Sequence, residues 1–367
     1  MAAEADIIRY MITGEDGEVI PENATHVSVH PSVKVIPKRL FCWHPNIVEL
    51  VCHDGVIKIE EEAFYGCPLL KRVILKGVEE VEWGAFSMCD ALEYVECDKL
   101  EIIGEYAFDE CRSITSINVP SAKIVRAGAF CACPALVGVD FGRKLESIGR
   151  GAFYNCRSLQ RITFPLKNGL IIHDNLFQGC NSLKRVDLID REVLQQTIDA
   201  LLWEEWKNDM NSELLSIDQI LPNECAGSIH DGGKALVIRR WITNVLRKII
   251  YYKVEHRRLL NEAVSRLQLA LPHDIVMNNV VPFLTLPHHK FDGEEEINER
   301  DDCNESIDET YSSVVDSNEE DEEDNHDGSQ GATDTGEEGK QEGANDEERR
   351  KRRRTENNGD DVDGEKD

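Results

Sequence analysis

Residues 103–119 read IGEYAFDECRSITSINV, and this pattern returns through the first half of the chain every 22 to 24 residues. Its most regular member is a phenylalanine, found at Phe41, Phe64, Phe86, Phe108, Phe130, Phe153 and Phe177. Three positions later stands a histidine in the first unit and a cysteine in the others, namely His44, Cys67, Cys89, Cys111, Cys133, Cys156 and Cys180. Aliphatic residues hold three further columns, five before the phenylalanine and six and nine after it. Such columns through seven units predict a repeat protein.

The segment after each phenylalanine alternates apolar and variable residues, which is the period of a half-buried strand. These segments are Leu70–Leu75, Leu92–Cys97, Ile114–Val119, Leu136–Phe141, Leu159–Phe164 and Leu183–Leu188. A single unit is too small to close a core, so successive units must stack and merge their apolar sides. The sequence therefore predicts a solenoid of about seven coils with a parallel β-sheet on one wall and tight Ala-Phe turns on another.

The quoted stretch follows the pattern Ile-Gly-x-x-Ala-Phe-x-x-Cys-x-x-Leu-x-x-Ile-x-Leu and resembles the BspA-type leucine-rich repeat. The resemblance covers residues 34–190. It implies a leucine-rich-repeat solenoid that acts as a binding scaffold, in a family that has no catalytic activity in common. The chain departs from the ordinary leucine-rich repeat, because its cysteines lie three residues before the strand leucine rather than after the strand.

The cysteine column has two interpretations. Thiols one coil apart could form a disulfide or a metal site, but small buried thiols also pack well inside a coil. No CxxC pair with zinc spacing occurs, and Cys131 with Cys133 forms only a CxC. We therefore predict structural packing of free thiols in a reducing compartment, with no metal and no cofactor.

Two further regions flank the repeats. Residues 1–33 are predicted to form a β cap, since an open solenoid end exposes apolar surface and unpaired backbone. Residues 191–290 change to a helical period, with apolar positions from Leu194 to Leu202, a second helix over Ser212–Ile220 and a long amphipathic helix over about Lys234–Ala270.

The polar side of the long helix is basic. Its Lys and Arg side chains are Arg239, Arg240, Arg247, Lys248, Lys253, Arg257, Arg258 and Arg266. A solvated face in a helical hairpin, coiled coil or dimer would explain them, and so would docking of the acidic tail or of an acidic partner. The sequence leaves these alternatives open.

Residues 271–284, LPHDIVMNNVVPFL, resemble the opening half of an F-box, the motif that binds the adaptor subunit of cullin ubiquitin ligases. This resemblance implies a ubiquitin-ligase substrate adaptor as an alternative function. The remaining helices of that module are missing, and F-boxes usually precede leucine-rich repeats.

Charge separates a folded body from a tail. The chain has 367 residues and a net charge of -29, and residues 291–367 alone hold 31 acidic side chains against 9 basic ones. Low apolar content and acidic runs predict that this tail is disordered. Within it, six consecutive bases have the form of a nuclear localisation signal, although a charge-balancing tract would look the same. They are Arg349, Arg350, Lys351, Arg352, Arg353 and Arg354.

Several function classes are disfavoured. So acidic a chain is a poor ligand for nucleic acid or anionic lipid. No run of about 18 apolar residues occurs, and the first residues lack the features of a secretory signal, so we expect an intracellular protein of the nucleus or cytoplasm. The sequence contains no GxGxxG after a strand, GxxxxGK[ST], HExxH or GxSxG motif, which predicts a protein without catalytic residues. An enzyme would need a site assembled from distant residues, visible as a deep polar pocket.

The outward positions of the strands form the predicted binding face. We expect an unidentified protein partner to contact Arg72, Tyr94, Glu96, Asn118, Asp140, Arg161, Arg185 and Asp187. Tyr94 and the flanking arginines are the expected anchor, because Tyr and Arg dominate the energetics of protein interfaces. The columns have neither uniform charge nor stacked aromatics, which disfavours a polysaccharide or nucleic-acid track.

Overall fold

The computed structural model describes residues 7–14, 18–221 and 233–286. The repeat region winds as a solenoid whose coils 1 to 7 are numbered here by their phenylalanines, from Phe41 to Phe177. The front sheet contains the longer strands: β1 (Arg9–Ile12), β2 (His26–Val29), β4 (Glu49–Cys52), β6 (Arg72–Leu75), β8 (Tyr94–Glu96), β10 (Ser116–Val119), β12 (Gly138–Phe141), β14 (Arg161–Phe164) and β16 (Arg185–Leu188). The back sheet contains seven two-residue strands: β3 (Val35–Ile36), β5 (Lys58–Ile59), β7 (Glu80–Val81), β9 (Ile102–Ile103), β11 (Ile124–Val125), β13 (Ser147–Ile148) and β15 (Ile171–Ile172).

Every strand ladder of the solenoid is parallel, and within each ladder the equivalent residues of neighbouring coils are direct register partners. On the front sheet Val73 pairs with Val95 and Val139 with Ile162, and on the back sheet Val81 pairs with Ile103. The aliphatic columns point inward and are buried except at Val95, which is half-buried, so the coils share one continuous core. The predicted solenoid of about seven parallel coils, followed by helices, is confirmed.

The phenylalanines form a ladder inside the wall that joins the back sheet to the front sheet, called the turn wall here. From Phe41 to Phe153 the neighbouring ring centroids lie 4.8–5.5 Å apart with interplanar angles of 3–8°. The last pair, Phe153 and Phe177, is 5.9 Å apart. Rings one coil apart stack because the coil spacing itself matches an aromatic contact distance.

The turn wall depends on backbone in the left-handed region at two positions of every coil, two residues before and two residues after the phenylalanine. The first column is Arg39, Glu62, Gly84, Tyr106, Gly128, Gly151 and Asn175, and the second is Trp43, Gly66, Met88, Glu110, Ala132, Asn155 and Gly179. Their φ values lie between 54° and 82°. Nine of the fourteen are not glycine, so packing of the coils sustains a conformation that costs L-residues about 1–2 kcal/mol each.

The N-terminal segment continues the solenoid. β1 pairs with β2 and β2 with β4, both in parallel, so residues 9–29 add two strands to the front sheet. His44 occupies the cysteine column of coil 1, and its Nε2 lies 3.0 Å from the carbonyl oxygen of Pro21. The carboxylate of Glu18 accepts hydrogen bonds from Thr13 N–H and the Tyr10 hydroxyl, both at 2.7 Å. These contacts cover the first coil.

Helices follow the last coil: α1 (Arg191–Asp199), α2 (Glu204–Ile220), α3 (Gly233–Gln268), α4 (His273–Asn279) and α5 (Val281–Leu284). The long helix lies where the sequence predicts it, but α2 begins eight residues before the predicted Ser212. Its buried positions Met210, Leu214 and Ile217 show one apolar face over the whole element. Trp203 is the N-cap residue of α2.

The helices cover the C-terminal end of the solenoid. Lys234 is buried, and its ammonium donates hydrogen bonds to the carbonyl oxygens of Cys180 at 3.1 Å and Leu183 at 2.8 Å. These two bonds join the start of α3 to coil 7. α2 and α3 pack together, with Trp241 Nε1 donating to the carbonyl oxygen of Glu213 at 2.8 Å.

The basic side of α3 is partly internal, unlike a fully solvated face. Lys248 forms ion pairs with Asp209 at 3.2 Å and Glu213 at 2.8 Å. Arg239 reaches Asp174 in coil 7 at 3.3 Å, and Lys253 is buried. Half of the helix is therefore an anchor to α2 and to the solenoid. Within the described residues, no helix is both long enough and apolar enough to cross a membrane. The acidic tail and its basic hexamer lie outside the described residues.

Candidate binding face

The two predicted columns lie side by side on the outer surface of the front sheet, because strand residues two apart point to the same side. One column runs through the register partners Glu49, Arg72, Tyr94 and then Ser116, Gly138, Arg161, Arg185. The other runs through Val51, Ile74, Glu96 and then Asn118, Asp140, Thr163, Asp187. Ile74 is buried within its column, whereas Tyr94 is 47% exposed.

Arg72 organises the N-terminal part of the face. Its Nε lies 3.4 Å from a carboxylate oxygen of Glu49 on one side, and its guanidinium carbon lies 4.9 Å from the ring centroid of Tyr94 on the other. A cation over a tyrosine face is attractive, by about 0.5–1 kcal/mol at an exposed site. The contact favours one orientation of the exposed tyrosine, which lowers the entropic cost of using the ring as an interface anchor.

Asp140 organises the C-terminal part. Both of its oxygens accept hydrogen bonds from Arg161, at 2.5 Å and 2.7 Å, and Oδ1 also accepts one from the Thr163 hydroxyl at 2.8 Å. Gly138 makes room for this pair, since a Cβ there would lie 3.2 Å from Arg161 Nε. Hydrogen bonding to Arg161 lowers the pKa of Asp140, and the same bonds raise the pKa of Arg161. Bidentate pairs of this kind are geometrically specific.

The last coil adds a second acidic centre. Asp187 lies 2.9 Å from Arg185 Nε and 3.9 Å from Arg191 in α1. Arg191 was not among the predicted site residues, although its position four residues after Asp187 was available in the sequence. The first helix of the C-terminal region thus contributes to this end of the face.

The structure brings the predicted residues together in three groups and leaves two of them apart. Arg72 joins Tyr94, Arg161 joins Asp140, and Arg185 joins Asp187. Glu96 and Asn118 occupy the middle of the face and form no ion pair within the part of the chain described. Acidic and basic side chains are interspersed along the face, so it presents hydrogen-bonding and aromatic surface rather than a strip of one charge.

A shallow groove of about 300 Å³ lies on the back sheet. Its lining includes four carboxylates and one guanidinium, from Glu61, Glu80, Glu82, Glu105 and Arg126. Lys58 holds two of the carboxylates, with Nζ at 3.2 Å from Glu80 and 2.6 Å from Glu82, and this hydrogen bonding raises the pKa of Lys58. Carboxylates committed to ion pairs are poorly placed for acid–base chemistry, and the groove is open rather than deep.

The cysteine column is explained by packing. Each thiol lies 2.9–3.2 Å from the carbonyl oxygen of the phenylalanine in the preceding coil, from Cys67 on Phe41 to Cys180 on Phe153. A weak S–H donor thereby contacts the buried phenylalanine carbonyl of each coil from 1 to 6. Burial also raises the pKa of thiols in the column, such as Cys89 and Cys111, so the nucleophilic thiolate is suppressed. No group of three potential metal ligands occurs among the described residues.

A family model described as a BspA type leucine rich repeat region matches residues 34–136 and 101–199, in 6 copies. No curated protein matches the chain. The matched residues end before α2, and the comparisons give no support to the F-box resemblance at 271–284. In the structure that stretch forms only the short helices α4 and α5.

Several solved structures are similar to this chain. The leucine-rich repeat protein of T. pallidum is 29% identical over 38% of this chain and 69% of its own, with a TM-score of 0.34. A leucine rich cell surface protein from Faecalibacterium prausnitzii is 18% identical over 46% and 60%, with a TM-score of 0.25. A leucine-rich repeat protein from Bacteroides ovatus is 20% identical over 45% and 69%, with a TM-score of 0.24. The chain thus spans 60–69% of the length of these proteins.

Proposed function

We propose that this chain, whose residues 34–199 are a BspA-type leucine-rich repeat region, is a non-enzymatic scaffold that binds a protein partner through the outer surface of its front sheet. Leucine-rich repeat solenoids commonly serve in protein–protein interaction or surface adhesion, and their families are typically without catalytic activity. In this chain, we expect the binding surface to be the front sheet, the anchor residues to be Tyr94 and its flanking arginines, and the partner to be a folded protein.

The observation that carries the proposal is the arrangement around Tyr94. An exposed aromatic ring contacts Arg72, and the same sheet surface presents Arg161 and Arg185, each paired with an aspartate of the neighbouring column. Oriented Tyr and Arg side chains on a rigid sheet contribute binding energy at a low entropic cost. Because most charges of the face are already paired within it, a folded protein surface suits it better than a polyanion or a polycation.

The test is quantitative affinity capture with the full chain and with a triple variant, Tyr94→Ala, Arg161→Ala and Arg185→Ala. The matched control carries Ile171→Ala, Arg126→Ala and Arg150→Ala, which remove exposed side chains from the back-sheet side. Thermal unfolding of both variants checks that the solenoid is intact. We expect the front-sheet variant to lose partners that the control retains. Identical partner lists for the wild type and the front-sheet variant would refute the assignment of this face.

A further inference from the structure

The front sheet is divided between coils 3 and 4. Strand ladders join β1 to β8 in one sheet and β10 to β16 in another, and none joins β8 to β10. The backbone bond that precedes each strand shows the same gap. In other coils, the residue before the strand donates its N–H to the carbonyl of the equivalent residue in the preceding coil. These bonds are Lys71 N to Val48 O, Glu93 N to Lys71 O, Val137 N to Thr115 O and Gln160 N to Val137 O, at 2.7–2.9 Å. Within residues 18–221, the equivalent bond from Thr115 N–H to the Glu93 carbonyl is missing.

Packing is also looser at this division, called the seam here. Val95 of β8 is half-buried, whereas its register partner Val73 in coil 2 is fully buried and Ile117 in coil 4 is 2% exposed. Side chains replace part of the missing ladder, since Ser113 Oγ donates to the Asp90 carbonyl at 2.6 Å and Cys97 Sγ lies 3.5 Å from the Asn118 carbonyl. The seam is therefore a local loss of strand pairing.

The other two walls continue through the same coils without a break. On the back sheet β9 pairs with both β7 and β11. In the turn wall the rings of Phe86 and Phe108 stack at 5.4 Å, and Phe86 N–H donates to the Ala107 carbonyl at 2.8 Å. Two intact walls opposite an unpaired one have the geometry of a hinge, because the unpaired side can open while the paired sides bend.

We propose that the candidate binding face is two rigid plates that pivot at the seam. The first plate, β1 to β8, carries Arg72, Tyr94 and Glu96, and the second, β10 to β16, carries Asn118 and the Asp140–Arg161 pair. Local opening of a few weak interactions costs far less than global unfolding. A partner that contacts both plates selects one angle between them. Only this last step rests on the proposed function, since the hinge belongs to the free chain.

Amide hydrogen exchange on the full chain, read by mass spectrometry without any partner, tests the hinge. After correction for intrinsic rates, residues 115–118 should exchange about tenfold faster than the equivalent residues 137–140 of coil 5. Residues 101–103 on the back sheet should be as protected as residues 123–125. Equal protection at 115–118 and 137–140 would overturn the proposal and leave the binding assignment untouched. Conversely, a failed capture experiment would leave the exchange result standing.

A cross-linked variant separates hinge opening from fraying of one strand. Glu96→Cys with Asn118→Cys places a disulfide across the seam, and Asp140→Cys with Thr163→Cys places one across an intact ladder whose members are register partners. Oxidation of the seam pair should slow exchange at 115–118 about tenfold, and oxidation of the control pair should leave that segment unchanged. Fast exchange that persists across the closed seam would count against a hinge. So would a seam pair that does not oxidise while the control pair does, because swinging plates must bring one-coil neighbours together.

Discussion

Replacing Phe108 by alanine should destabilise the centre of the solenoid strongly. The ring is fully buried and stacks on Phe86 at 5.4 Å and on Phe130 at 5.3 Å, with interplanar angles of 8° and 3°. Truncation of a buried phenylalanine costs about 3–5 kcal/mol. About 1–3 kcal/mol of this belongs to the two ring contacts, at roughly 0.5–1.5 kcal/mol for each aromatic pair. Phe108→Leu, which keeps most of the apolar volume, should therefore lose about 1–3 kcal/mol.

Urea denaturation followed by far-ultraviolet circular dichroism measures both losses. Tyr154→Ala is the control, since it removes an exposed ring from the same turn wall and should cost less than about 0.5 kcal/mol. Each coil contacts only its neighbours, so a weakened coil 4 can also uncouple the two halves and lower the slope of the transition. A loss below about 1 kcal/mol for Phe108→Ala, with an unchanged slope, would refute the continuous ring ladder as a source of stability.

Three further predictions concern the turn wall, the face and the tail. Ala132→Gly, at a φ of 54°, should raise the unfolding free energy by about 0.5–1 kcal/mol, and Gly84→Ala, at 58°, should lower it by about 1–2 kcal/mol. Thermal melts that show Ala132→Gly destabilised and Gly84→Ala stabilised would contradict the left-handed columns. Hydrogen bonding lowers the pKa of Asp140 in the folded protein. The ionised carboxylate therefore stabilises the fold at pH values above its unfolded-state pKa of about 3.9, and this stabilisation is lost as the pH falls through its folded-state pKa. Urea titrations at several pH values should therefore show that the difference in unfolding free energy between wild type and Asp140→Asn decreases below about pH 4. A difference that does not change with pH would exclude the ionised Asp140 carboxylate as its cause. Deletion of Arg349–Arg354 from a fluorescent fusion should shift the protein from nucleus to cytoplasm, and an unchanged distribution would favour a charge-balancing tract.

The coiled architecture could be predicted from the sequence because it depends on periodicity along the chain. A phenylalanine, a cysteine and three aliphatic positions in every unit specify which side chains point inward, and stacking then follows from the need to bury them. The same periodicity identified the outward columns, so Arg72, Tyr94 and Arg161 lie on the front sheet as expected. The sequence also predicts that the cysteines are packed thiols, but it does not predict the carbonyl oxygens that these thiols contact.

Other features depend on contacts between residues that are distant in sequence. Nothing in the repeat pattern distinguishes coil 3 from coil 4, yet the front sheet is interrupted between them. The sequence shows that Lys234 begins a basic helix, but only the folded chain places its ammonium on the last carbonyls of the solenoid. Charge pairs such as Lys248 with Glu213 likewise become internal only when α3 packs on α2. Periodic burial is a property of the local chain, whereas these contacts exist only once three-dimensional packing has brought separate segments together.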